Sequence, residues 1–82
     1  MSSGFRPRGT NVLFQGMNLL VDDTTTPNIT YVCRADPGTL TSEARWQIFI
    51  VDETTSHTII KWADGDSNFD NIADNRDSLS YS

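Results

Sequence analysis

The clearest pattern along the chain is an unbroken apolar run, Ile48-Phe49-Ile50-Val51, inside a segment headed by Trp46 and followed, after a polar stretch, by a second segment bearing Trp62. In an extended strand Ile48 and Ile50 point to one side while Phe49 and Val51 point to the other, so both faces call for cover. A chain of 82 residues has little surplus mass to cover both. The run therefore predicts a small β-domain completed by other subunits or by a larger assembly.

The flanking patterns extend this reading. Met17-Asn18-Leu19-Leu20-Val21 is a short strand candidate closed by Asp22-Asp23-Thr24-Thr25-Thr26-Pro27-Asn28, where Pro27 forbids helix. Ile29 to Arg34 alternates, with Ile29, Tyr31 and Cys33 on one face and Thr30, Val32 and Arg34 on the other. Asp36-Pro37-Gly38 is a turn signal, because Pro presets φ and Gly accepts a positive one. Ala44 to Val51 is the central strand and Thr58 to Ala63 its hairpin partner, joined by the wide polar loop 52–57. Where register allows, a cross-strand or diagonal aromatic contact between Trp46 and Trp62 is expected in this hairpin. Further on, Ser67 is a candidate N-cap for a short helix, with Phe69, Ile72, Ala73 and Arg76 at helical spacing. The tail Ser78-Leu79-Ser80-Tyr81-Ser82 alternates again and reads as a final edge strand. No internal repeat is read from the chain. The fold class expected is mainly β: a small antiparallel sheet built on a central hairpin of about residues 44–63, one short C-terminal helix and an extended N-terminal arm.

Charge narrows the function. The formal net charge is −5, but Arg6 and Arg8 lie near the start, and from Met17 onward four basic residues face eleven acidic ones, giving −7. Arg34, Arg45, Lys61 and Arg76 are too scattered for the basic stripe that nucleic acid requires, so nucleic acid is not an expected partner. No apolar stretch approaches the roughly 20 residues of a membrane span, so no membrane role is expected either. Cys33 is the single cysteine and reads as a packed, reduced thiol.

Catalytic chemistry finds no foothold. His57 is the sole histidine, in the hairpin loop, and one Cys with one His cannot build a soft-ligand zinc site. Asp64-Gly65-Asp66-Ser67-Asn68-Phe69-Asp70 imitates the opening of a calcium loop, yet Phe69 stands where the turning glycine belongs and Asn75 where the closing glutamate belongs. No nucleophile elbow and no phosphate-binding glycine loop are present. No catalytic residue, metal ligand or cofactor is assigned, and the chain is not expected to be an enzyme.

Residues 1–16 differ in composition from the rest. Val12-Leu13-Phe14-Gln15-Gly16 resembles the core of a viral cysteine-protease site used in expression tags, but Asn11 and Met17 replace the residues that normally flank it. The segment is read as an extended N-terminal arm, with a tag remnant as the alternative, ahead of a β-domain over residues 17–82.

One resemblance rests on specific residues. Tyr31-Val32-Cys33-Arg34-Ala35-Asp36-Pro37-Gly38-Thr39, Thr41-Ser42, Trp46-Gln47-Ile48, Trp62-Ala63-Asp64-Gly65-Asp66-Ser67-Asn68-Phe69-Asp70-Asn71-Ile72, Asp74-Asn75-Arg76 and Ser78-Leu79-Ser80-Tyr81 resemble short proteins encoded among the structural genes of tailed bacteriophages. The resemblance runs from about Asn28 to Ser82. Cys33 and Ala73 depart from it, standing where a small or polar residue and an aromatic one are expected. It implies localisation in a virion and a structural or accessory role, at the tail, the fibre-attachment region or the head surface as capsid decoration. Taken with a β-domain short of cover, this makes further copies of the chain, as a homo-oligomer, and other virion proteins the expected partners. Core and interface candidates are Val12, Leu13, Phe14, Trp46, Ile48, Phe49, Ile50, Val51, Ile60, Trp62, Phe69 and Ile72. The alternative is a soluble phage-encoded acidic module that antagonises a host protein.

Overall fold

β-Branched and aromatic residues at alternating positions make an antiparallel sheet. In the computed structural model, which describes residues 16–82, the strands are β1 (Asn18–Asp22), β2 (Ile29–Ala35), β3 (Ala44–Asp52), β4 (Ile59–Trp62) and β5 (Asn71–Ile72). β1 to β4 lie side by side in chain order, each antiparallel to the next, and β5 pairs with the start of β3 where β4 leaves off. The mainly β architecture and its central hairpin are as expected. Arm residues Val12, Leu13 and Phe14 lie outside the described residues.

Each connection has a local cause. Pro37-Gly38 turns β2 toward β3: Gly38 has φ +85°, and the Thr39 amide donates to the Asp36 carbonyl at 3.1 Å. Loop 53–58 joins β3 to β4, as wide as its polar composition suggests. Asp64 and Gly65, at φ +57° and +74°, turn the chain out of β4.

Alternation sorts the residues of the sheet into two populations. One side carries Leu20, Tyr31, Cys33, Ala35, Trp46, Ile48, Ile50 and Ala63, most of them buried. Ala73 and the side chains of Leu79 and Tyr81 close over this side. Cys33, Ala35, Ala63 and Ala73 are small and fully buried, which lets the C-terminal segment approach the sheet closely. Trp46 is satisfied as well as packed, since its Nε1 donates to the Leu40 carbonyl at 2.9 Å.

A short C-terminal helix forms as expected, but it starts later than the spacing from Ser67 suggests. Residues 64–70 are irregular, β5 follows, and the helix is a 3-10 turn, Ala73–Ser78, whose N-terminus has no side-chain cap. Ser67 does not cap it; its carbonyl accepts instead from Gln47 Nε2 at 2.8 Å. Phe69 is therefore not part of a packed helical stripe and is 44% exposed, while Ile72 is half-buried in β5. The tail does reach the edge of the sheet, with Tyr81 bridging to Ala63.

A short repeat also emerges. Val21-Asp22-Asp23-Thr24-Thr25 and Val51-Asp52-Glu53-Thr54-Thr55 end β1 and β3 with the same chemistry, a recurrence of five residues within a chain that has no larger internal repeat. In each, the aspartate folds back on the threonines: Asp22 Oδ1 accepts from the Thr24 and Thr25 amides at 3.0 and 3.1 Å, and Asp52 Oδ1 from the Thr54 amide at 2.9 Å.

Candidate functional site

Among the described residues, only one of the two sides of the sheet is closed over by other parts of the chain. On the open side, register aligns Val21, Val32, Phe49 and Trp62 in one row across all four strands. Below it stand Thr30, Val51 and Ile60, and above it Leu19, Arg34 and Gln47. Val21 and Ile60 are each 57% exposed, and Leu19 is 46% exposed. Ile48, one residue from Phe49, is 1% exposed. The apolar run thus splits as its alternation requires, with Ile48 and Ile50 in the core and Phe49 and Val51 on the open side.

Phe49 and Trp62 fill the β3–β4 half of the row that crosses all four strands. Their ring centroids lie 5.0 Å apart at 51°, a tilted cross-strand pair. The expected contact between Trp46 and Trp62 does not form. Trp46 is three residues from Phe49 on the same strand, so alternation sends it to the core while Trp62 shares the side of Phe49.

One end of the open face is framed by polar groups. Gln47 is buried because Arg34 Nε donates to its Oε1 and loop 64–70 passes over it. Two positions beyond each member of the Leu19–Arg34–Gln47 row, Met17, Asp36 and Arg45 join Thr39 and Phe69 around an open cleft of about 310 Å³. Of the residues expected in the core, Phe69 lines this cleft, and Ile60 and Trp62 belong to the open face.

Four titratable groups, Asp22, Asp52, Cys33 and Tyr81, are tied up structurally. Asp22 accepts from the Thr25 hydroxyl at 2.6 Å and from Arg76 Nε at 2.9 Å, and its threonine bonds first, then the guanidinium, hold its carboxyl far below the usual range. Hydrogen bonds from Thr54, then Lys61 Nζ at 3.1 Å, bring Asp52 down to about 2. Burial pushes the Cys33 thiol up to about 11 and raises the Tyr81 phenol still further, its hydroxyl donating to the Arg76 carbonyl at 2.6 Å. Among the described residues no group of three or more His, Cys, Asp or Glu side chains is arranged to hold a metal, and no helix is long and apolar enough to cross a membrane. Chemically the open face offers apolar contact rather than acid–base or nucleophilic chemistry.

Neither a protein-family model, nor a curated protein, nor a solved structure matches the chain.

Proposed function

We propose that the chain is a non-catalytic structural or accessory protein of a phage virion, working by self-association and by docking to other virion proteins. The observation that carries this reading is the row Val21, Val32, Phe49 and Trp62, an apolar face that the described residues leave uncovered. Burial of such a face contributes about 25 cal/mol per Å² before ordering costs. Apolar sheet faces invite exactly this kind of cover, and large ones mark interaction sites. The resemblance of residues 28–82 to phage structural-gene products supports the virion context.

Mass spectrometry of purified particles tests the proposal. The chain is expected among the particle proteins, in amounts proportionate to a repeated component. Particles that lack it overturn the virion assignment.

The charge of −7 over residues 17–82 favours the second reading, an acidic module that captures a basic face of a host protein. Such capture weakens as salt screens the charges, whereas apolar docking survives it. A salt-resistant complex with virion proteins decides against the second reading.

A further inference from the structure

The open face needs an occupant, and the start of the chain supplies one of matching chemistry. Val12-Leu13-Phe14 is an apolar triplet, and residues 1–15 carry Arg6 and Arg8 with no acid, whereas residues 16–82 carry −7. The charges of segment and body are therefore complementary. The chain enters the described structure at Gly16, in a turn at φ +77°, and Met17 lines the cleft at the end of the open face.

Reach decides whose triplet fits. From Met17 to the level of Val21 is four residues, about 13 Å along β1, and Phe49 lies two strands across, about 10 Å, or about 16 Å in the plane. A segment packed on the sheet sits about 10 Å above it, which lengthens the path to about 19 Å. Phe14 is three residues from Met17, at most about 11 Å when fully extended, and even Val12 reaches only about 18 Å. The turn at Gly16 shortens both. Of a chain's own triplet, Phe14 and Leu13 stop roughly 8 and 5 Å short of the level above its own Phe49, so the three cannot be seated there together, and a neighbour's triplet carries no such tether.

We infer that the Phe49–Trp62 row of each copy receives Val12-Leu13-Phe14 from a second copy of the chain. The inference rests on the self-association reading above and names its contact. Each copy then offers one segment and one face, a heterologous pair that closes into a ring or extends into a line.

Sedimentation velocity of the full chain over a concentration series tests it. Wild type is expected to gain mass with concentration, while Phe14→Asp and Phe49→Asp each stay monomeric. An equimolar mixture of those two variants is expected to form a heterodimer, because one brings an intact face and the other an intact segment. Should Phe49→Asp lose its β-sheet signal by circular dichroism, Val21→Glu, at a 57% exposed position of the same row, takes its place. A wild type that stays monomeric throughout overturns the inference, as does a mixture that stays monomeric. Phe14→Asp associating as wild type does also overturns it, while leaving the virion reading intact. Absence from particles would remove the virion reading and leave the exchange of segments standing.

Discussion

Arg76 donates from Nε to Asp22 Oδ2 at 2.9 Å, clasping the 3-10 turn to the end of β1 across 54 residues of sequence. The same guanidinium donates from Nη1 to the Ala73 carbonyl at 3.0 Å, so one side chain both closes its own turn and fixes it to the sheet. Arg76→Met is expected to lower the melting temperature by leaving a buried carboxylate without its cation. The double variant Asp22→Asn, Arg76→Met should lose less than the sum of the two singles, because each single change already breaks the shared contact. Thermal melts of the four proteins measure this coupling.

Acid should loosen the fold through the two strand-end aspartates. Both have folded-state values below the unfolded range near 3.9, so the unfolded chain binds protons first and stability rises with pH across that window. Their contribution is fully present above about pH 4 to 5 and drains as pH falls toward 2 and below. Melting temperature followed from pH 6 to about pH 2 should fall steeply at the acid end. In Asp52→Asn the starting stability should be lower and the fall shallower.

The two sides of β3 should respond differently to truncation. Ile48→Ala opens a cavity in the core and is expected to cost about 2–5 kcal/mol. Phe49→Ala removes a half-exposed ring, and its distinctive loss is the pairing with Trp62, about 0.5–1.5 kcal/mol beyond area. Urea unfolding of both variants under monomeric conditions should rank them in that order, and the reverse ranking would show that the open face carries the fold.

Gly38→Ala isolates a backbone effect. No heavy atom lies within 4 Å of the place a Cβ would take, yet φ is +85°, so the cost is conformational alone. A loss of about 1 kcal/mol is expected by denaturant titration.

Cys33 should be silent to thiol reagents while the protein is folded. It is fully buried, and burial holds the thiol at about 11, far from the reactive thiolate. Iodoacetamide labelling read by intact mass should occur only as denaturant unfolds the chain.

Much of the sheet was legible because alternation is a local property. Tyr31 and Cys33 against Val32 and Arg34, and Ile48 and Ile50 against Phe49 and Val51, separate as a two-residue period demands. Register is not local, and the pairing of Phe49 with Trp62 followed from how loop 53–58 closes rather than from any residue in the strands. The helical spacing of Phe69, Ile72 and Ala73 misled because a segment rich in Asn and Asp gains little from helix formation, and Gln47 draws Ser67 away from a capping role. The recurring Val-Asp-acid-Thr-Thr sequence was readable in the chain. It marks two strand ends whose aspartates bond their own threonines, a signal shorter than a structural repeat but no less physical.

The two borders of the sheet are unequal. At the outer border of β4, the Trp62 amide and carbonyl bond reciprocally to Ser82 at 3.0 and 3.1 Å, and the Asp64 amide bonds to the Ser80 carbonyl at 2.8 Å, whereas β1 has no described strand beyond it. Endless stacking of one copy's sheet onto the next requires two bare borders per molecule. Ser80 and Ser82 occupy the Trp62 end of the β4 border, which leaves only the short stretch 59–61 of β4 for another strand to join and makes that edge a poor template for main-chain stacking.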